Sequence, residues 1–447
     1  MNILVLNGSP KGKNSITLQT VLYLEKKFPE HTVEVLHVGQ KIRSLTKDFS
    51  PALEAIRNAD VLLFSYPVYT FIAPCQLHSF ISLMKQHSAD VAGKIATQIT
   101  TSKHFYDVTA HRYIQDNVQE MGMHSIRGLS ADMEDLPTKK GQQEAEKWFS
   151  HFVWSAKNRY FEPYWPIPAP TAPIPVTVPE ENFAGKPGDV VIIADLKPGD
   201  TQLAAMISRF RSKLPYATRV VNLREYPFKG GCLGCFRCAD SGKCVHQDGF
   251  DEYLRTKIQT ADSMVYAFCI EDHSMGALFK TYDDRQFCNG HRTVTIGMPV
   301  GYLIRGELTR EENLRTVIEG RANVGNNILS GIATDEYDTD GAVDRLAESL
   351  SYSLEHKNTG PQNFLGVGGM KIFRDLIYQM RGFMRVDHKF FKSHGQYDFP
   401  QKKWAQSLAM YAVGALIANP KVHSKMGNKM NEGMLMPYKK VLKDMDK

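Results

Sequence analysis

At 447 residues, with 43% hydrophobic and 23% charged residues, the chain is too long for one ordinary domain and too apolar to be disordered. No apolar run reaches the length of a membrane span, the longest being Trp404 to Ala418, and the opening MNILVLNGSP has neither a basic flank nor a cleavage site, so a cytoplasmic protein is expected. The net charge of +6 belongs to one end: from Met370 onward fifteen Lys and Arg face six Asp and Glu, which leaves the remainder at −3.

The first predicted element is a buried strand, Ile3-Leu4-Val5-Leu6. It runs into NGSPKGKNSIT, Asn7 to Thr17, and then an amphipathic helix carrying Leu18, Val21 and Leu22 on one face. Gly8 and Gly12 permit a tight backbone path, while Ser9, Asn14, Ser15 and Thr17 offer polar groups at a helix N-terminus, where free N–H groups and the dipole favour an anion. The loop lacks both the GKS/T of a nucleotide-triphosphate loop and GxGxxG, so a monophosphate suits it better. A second strand is expected at Val33 to Leu36 and a third within ADVLLFSYPVY from Ala59. The third ends at Tyr66-Pro67-Val68-Tyr69-Thr70, where open α/β sheets bind ligands. A fourth strand, Ile95 to Ile99, leads into Thr100-Thr101-Ser102-Lys103-His104-Phe105-Tyr106. Three polar loops at three successive strand ends make one site.

These residues resemble the flavodoxin-like NAD(P)H-dependent FMN reductase superfamily over about residues 1 to 150. NGSPKGKNS looks like its phosphate loop and YPVY like the loop that touches the isoalloxazine ring. The resemblance implies FMN held by Ser9, Lys11, Asn14, Ser15, Pro67, Val68 and Tyr69, with Thr101, Ser102 and His104 also lining the flavin.

Between Phe161 and Pro179 seven prolines predict a stiff, extended connector. Beyond it the chain begins again. Val190 to Ile193 matches Ile3 to Leu6, and VVNL from Val220 matches VEVL from Val33, both 187 residues on; ADSMVYAFCIE from Ala261 matches the third strand at an offset of 202. Two tandem doubly wound parallel-sheet domains are therefore expected, the second with an insertion between its second and third strands. In that copy Ser9 becomes Leu196, Gly8 becomes Asp195, Pro67 becomes Cys269 and Tyr69 becomes Glu271, substitutions that repel or ignore a phosphate, so the second half is read as having lost its flavin.

The insertion is GGCLGCFRCADSGKCVHQDGFDE, with Cys232, Cys235, Cys238 and Cys244 spaced Cys-x2-Cys-x2-Cys-x5-Cys. Three thiolates at intervals of three can wrap one compact object, Gly231, Gly234 and Gly242 permitting the turns. Structural zinc more often uses two CxxC knuckles set apart, whereas a [4Fe–4S] cube takes four thiolates at its corners; the spacing favours the cube and leaves zinc, or a redox-active thiol loop, as alternatives. It is similar to the compact motif of the iron–sulfur flavoproteins, a branch of the same superfamily, which carry it at this point of the fold. Cys75, Cys269 and Cys288 are read as packing residues, Cys269 standing in the vacated flavin-loop position.

The tail opens with KIFRDLIYQMRGFMR, 371 to 385, which puts Ile372, Phe373, Leu376, Ile377 and Met380 on one helical face and is read first as a cap. Its basic surplus also allows association with a membrane surface or an acidic partner; no nucleic-acid motif accompanies it. The expected organisation is an FMN-binding domain at 1–157, a Pro-rich linker at 158–187, a degenerate domain with the four-Cys loop at 188–355, and a basic, Met-rich helical extension at 356–447. The expected function is an FMN- and [4Fe–4S]-dependent oxidoreductase, passing electrons between a nicotinamide or protein donor and a small-molecule or protein acceptor, with homo-oligomers allowed. The competing readings are an NAD(P)H-dependent FMN, quinone or nitro reductase with structural zinc, and a non-catalytic electron-transfer or docking module. No side chain declares itself an acid or base; His104 and Tyr69 are candidates by location alone.

Overall fold

The structure, a computed structural model, describes residues 1–164, 171–180, 185–418, 432, 434–436, 438, 439 and 441–445. The chain divides into two compact units, Met1–Phe390 and Phe391–Lys447. The first contains two parallel sheets. In the first sheet β1 (Asn2–Asn7), β2 (Thr32–Leu36), β3 (Val61–Pro67), β4 (Ile95–Ser102) and β5 (His124–Ser125) lie in the order β2-β1-β3-β4-β5, with β6 (Leu129–Asp132) also on β4. In the second, β7 (Val190–Ala194), β8 (Thr218–Asn222), β9 (Ser263–Cys269), β10 (Pro299–Arg305) and β11 (Ile328–Thr334) lie in the order β8-β7-β9-β10-β11. Counted within each half both read 2-1-3-4-5, the flavodoxin-like order. The duplication read from the sequence is a duplication of topology.

The central strands are continuous apolar runs because helices cover both faces. β1, β3, β7 and β9 are buried along almost their whole length, which alternating patterns do not allow. Helix starts are fixed by side-chain caps: Ser15 accepts from the Leu18 N–H and Asp200 from the Leu203 N–H at the corresponding helices. The repeat is not uniform in register. Ile3 pairs with Val33, but Val190 pairs with Thr218 while Val220 pairs with Ile192, so the second strand is displaced by two residues from the offset read in the sequence. An even displacement keeps each side chain on its original face.

The halves meet through the helices Cys75–Gln86 and Ala277–Arg285, which follow corresponding turns after β3 and β9. The turn Tyr69–Ile72 closes by paired backbone hydrogen bonds, as does Glu271–Ser274. Each turn reaches across to the other half. Phe71 and Ile72 are buried in the hydrophobic core of the second sheet. Asp272 in turn accepts from Ser82, takes an ion pair from Lys85 at 3.1 Å and receives Asn117 Nδ2 on its carbonyl at 3.0 Å. The chain is thus a pseudo-twofold pair built from one polypeptide.

Several connections differ from expectation. β4 runs three residues past Ile99, and the helix expected at 371–385 is instead Phe364–Gln379, started by Asn363 accepting from the Leu365 and Gly366 N–H groups. Arg374, off the apolar face of that helix, is nonetheless buried. Of the linker, 165–170 and 181–184 lie outside the described residues, as does much of 427–440 in the tail. In the second unit, Trp404–Ile417 is a helix with exposed Trp404, Leu408, Tyr411 and Leu416. Among the described residues no helix is long and apolar enough to cross a membrane.

The seam carries a titratable group that sequence comparison of the halves does not reveal. His273 Nδ1 lies 3.0 Å from Glu311 and Nε2 3.4 Å from Glu120 of the first half. Burial opposes charge on this imidazole, but the two carboxylates override it and raise its pKa to about 9. A group whose folded pKa exceeds its ordinary value of about 6.5 stabilises fully below that value, and the stabilisation is lost as pH rises through the folded pKa. We expect thermal stability to fall between about pH 6.5 and pH 9 by up to about 3 kcal/mol from this group. His273→Gln should flatten the melting temperature across that window; an unchanged slope would remove His273 as its cause.

Candidate functional site

The loop after β1 folds onto itself before it meets any ligand. Asn7 Nδ2 donates to the Gly12 carbonyl at 2.9 Å, the Gly8 N–H to Ser65 O at 2.9 Å, and the Gly12 N–H to Ser9 O at 3.2 Å. Gly12 has φ +55°, a left-handed conformation costly for any other residue type. A Cβ on Gly39 would stand 2.2 Å from the Gly8 carbonyl, so the helix Val38–Leu45, which follows β2, presses directly on the loop backbone. The result is a rigid turn delivering Ser15, Ile16 and Thr17 at the positive end of the helix Ile16–Lys27.

Those residues open onto a cavity lined by Ser9, Lys11, Ser15, Ile16 and Thr17 of the first loop, Pro67, Val68, Tyr69 and Thr70 of the second, and Thr101, Ser102 and Lys103 of the third. Its remaining walls come from the second half and the tail: Cys232, Cys235, Cys238 and Cys244, with Phe236, His246, Phe287, Cys288 and His291, and Ile372, Phe373 and Leu376 from the helix Phe364–Gln379. One crevice therefore gathers the three strand-end loops of one half and the cysteine loop of the other. Two expected residues stand outside its lining. Asn14 is exposed, and His104, at φ +57°, turns outward to pair with Asp107 at 2.8 Å.

The cysteine loop is pinned from below. Burial works against charge on Asp248, yet Arg285 holds its carboxyl well below the usual range through two hydrogen bonds of 2.7 Å, and Arg285 also donates to Gly230 O at 2.8 Å. Arg255 donates to the carbonyls of Gly242 and Cys288 at 2.7 and 2.6 Å, and the Cys244 N–H donates to Asp251 at 3.1 Å. From above, Gln76 donates to Cys232 O at 3.1 Å. The glycines have different reasons. Gly234 is left-handed, φ +60°, and a Cβ there would fall 1.9 Å from the Tyr69 hydroxyl; Gly231 is required by approach, since its Cβ would fall 2.0 Å from Cys75 Sγ.

Burial pushes the Cys232 thiol up strongly and the Cys238 thiol to about 11, with neighbouring cysteines adding to both. Among the described residues no group of three or more His, Cys, Asp or Glu side chains is gathered so as to hold a metal ion. The donor set itself, four cysteines on one wall, has the chemistry of a thiolate-held metal group. Toward a flavin the lining offers suitable groups: Thr101 presents a buried hydroxyl without a partner among the described residues, and Tyr69 gives a flat aromatic wall, its phenol pushed well up chiefly by burial.

Two features are not visible in the sequence pattern. Cys288, read as packing alone, is buried yet lines the same cavity as the four loop cysteines. His291 lines the crevice with Nδ1 3.0 Å from Asp387, a buried carboxylate that also pairs with Arg292 at 2.8 Å. That contact fixes Nδ1 as the donor and leaves Nε2 to the cavity. The signal lies in two residues ninety-six positions apart, which no spacing rule joins.

The matching crevice of the second half is a cavity of about 340 Å³ walled by charged groups that pair with one another. Asp195 pairs with Arg224 at 2.8 Å, and Lys197 pairs with Glu271. Cys269 donates to Asp200 at 2.8 Å, its thiol pushed up to about 12 by burial and that carboxylate. The linker lies over these strand ends: the Thr171 N–H donates to Glu307 at 2.9 Å, the Ile174 N–H to Asp335 O at 3.0 Å, and Gln202 and Thr339 donate to the Ile174 carbonyl.

Residues 1–134 match the family model described as NADPH-dependent FMN reductase. An iron–sulfur flavoprotein of Clostridioides difficile (strain 630) is 33% identical over 54 residues, 12% of this chain and 24% of that protein, so the chain spans about a quarter of the length of this curated relative. Among solved structures, an NADH:FMN oxidoreductase in its apo form is 22% identical with a TM-score of 0.30, covering 34% of this chain and 89% of its own. An FMN-dependent NADH-azoreductase from Bacillus anthracis, in complex with FMN, is 14% identical with a TM-score of 0.28, covering 34% and 98%. An NAD(P)H:quinone oxidoreductase from Methanothermobacter marburgensis is 13% identical with a TM-score of 0.28, covering 37% and 98%. Residues 1–134, a little under a third of the chain, are thus similar to the NADPH-dependent FMN reductase family, and they lie on a parallel sheet whose strand order the second half repeats.

Proposed function

We propose that the chain is an FMN-dependent NAD(P)H oxidoreductase whose first half binds the flavin and whose second half supplies a [4Fe–4S] cluster on Cys232, Cys235, Cys238 and Cys244. The observation that carries this reading is the single crevice lined by both sets of residues. When bound, FMN accepts electrons in pairs or singly and an iron–sulfur cube passes one, so the pair links a hydride donor to a one-electron path. The chain's own residues do the rest. Ser9, Ser15 and the N-terminus of the helix Ile16–Lys27 hold the phosphate, Pro67 to Tyr69 flank the ring, and Thr101 and Ser102 meet its polar edge. The wall formed by Phe105, Met133, Phe236, Phe287 and Phe373 excludes water and accepts a flat apolar acceptor, a class to which quinones belong. His291, oriented by Asp387, lines the crevice as the side chain placed to relay a proton to such an acceptor. Zinc remains the competing occupant of the thiols, and metal analysis decides between them.

Three outcomes are expected. Ser9→Leu, copying the second half, should lower FMN occupancy of the purified protein at least tenfold, read from visible absorbance; full occupancy would move the flavin elsewhere. Anaerobically purified protein should contain about four iron and four sulfide per chain, and Cys235→Ala should lose both while keeping FMN. One zinc per chain in place of iron would sink the cluster and keep the flavin. His291→Asn should slow reduction of menadione by about 100-fold, in the range of a lost general acid, and slow ferricyanide reduction far less, because ferricyanide takes electrons without a proton. Equal slowing with both acceptors would assign His291 to packing.

A further inference from the structure

We propose that Lys280 and Asp284 of the second half are positioning residues for the flavin-facing loop Tyr69–Thr70 of the first, a clamp that holds the loop in the conformation FMN binds; the inference rests on the FMN reading above. Lys280 is fully buried and donates to the Tyr69 carbonyl at 2.9 Å, reaches the Thr70 carbonyl at 3.4 Å, and pairs with Asp284. Asp284, also fully buried, accepts from the Thr70 hydroxyl at 2.9 Å and from the Cys75 N–H at 2.7 Å. The two side chains hold three consecutive polar groups of the loop and the first N–H of the helix that follows it.

The loop needs holding. Thr70 has φ +43° and Phe71 φ +74°, left-handed conformations that a β-branched and an aromatic residue adopt only when the surroundings over-determine them. Tyr69 and Thr70 both line the crevice, so any relaxation of this strain moves atoms that face the flavin. Asp283 completes the set by pairing with Arg321, whose guanidinium stands 5.7 Å from the Phe71 ring. Two cations and two anions are balanced underneath one turn.

The corresponding place in the other half argues that this is more than glue between halves. At an offset of 202, Lys280 corresponds to His78 and Asp284 to Ser82. His78 stacks on Tyr113 at 4.0 Å, and neither ring nitrogen has a partner among the described residues. Ser82 reaches Asp272, which Lys85 also holds. That turn is tied instead through Asp272, held by Ser82, Lys85 and Asn117, and through His273 between Glu120 and Glu311. Among the described residues a fully buried Lys–Asp pair donating to the turn's carbonyls stands under Tyr69–Thr70 and has no counterpart at the corresponding positions, His78 and Ser82.

The test uses the full chain, stripped of flavin and titrated with FMN, reading the dissociation constant by fluorescence quenching, the flavin midpoint potential and the melting temperature. Lys280→Met should weaken FMN by about tenfold to a hundredfold, the scale of a lost charge-assisted hydrogen bond, and shift the potential. Thr70→Val, which keeps the branched shape and removes only the hydroxyl, should weaken FMN about threefold to tenfold and decides the matter should Lys280→Met not fold. Ser82→Ala on the vacated side should lower the melting temperature without changing the FMN constant. Unchanged affinity and potential in Thr70→Val, with only the melting temperature lowered, would overturn the clamp while leaving the FMN reading intact. Failure of the unsubstituted protein to bind FMN would overturn that reading and the clamp with it.

Discussion

Everything in the first unit depends on the crossing of two helices, Cys75–Gln86 and Ala277–Arg285. The crossing sends the turn Tyr69–Ile72 into the second sheet's core and brings the Gly230–Cys244 backbone under the first half's strand ends. Arg285, the last residue of the second helix, is 1% exposed and doubly bonded to Asp248, so the same helix that grips the flavin-side turn also anchors the cysteine loop. Breaking either partner of such a buried pair leaves an uncompensated charge, a cost of roughly 3–5 kcal/mol, so the two loops are held by one set of contacts rather than by separate ones.

The strands and the first loop were legible in the amino-acid pattern for a simple reason. Parallel strands covered on both faces are unbroken apolar runs, and Val190–Ala194 declares itself as plainly as Asn2–Asn7. The four cysteines were legible through spacing. What no local pattern carries is which loop faces which. The meeting of Gly234 with Tyr69 joins residues 165 positions apart, and it follows from the packing of two helices whose apolar faces look alike in sequence. Direction within a loop is equally hidden: His104 belongs to the third strand-end loop, yet left-handed residues at His104 and Tyr106 turn its ring outward to Asp107. Likewise the two-residue displacement of β8 leaves the hydrophobic pattern untouched, because an even slip changes no face.

The two halves furnish the same strand-end position differently. In the first half the strand-end crevice keeps small and polar groups, Ser9, Thr101 and Ser102, beside an aromatic wall. In the second the same crevice is walled by ion pairs, Asp195 with Arg224 and Lys197 with Glu271, and by the chain's own linker. The turn geometry after β9 matches that after β3: Asp272 and His273 are left-handed like Thr70 and Phe71. Both turns belong to the seam.

Because one polypeptide carries both sheets, the crevice does not come apart on dilution. Two separate copies sharing such a crevice would lose it below their dissociation constant, while partners joined by the stretch 158–187 meet at effective concentrations on the order of millimolar. Thr171 and Ile174 fix part of that stretch to the second sheet's strand ends through Glu307 and Asp335. The fraction of chains in which this crevice is complete is then independent of how much of the chain is present.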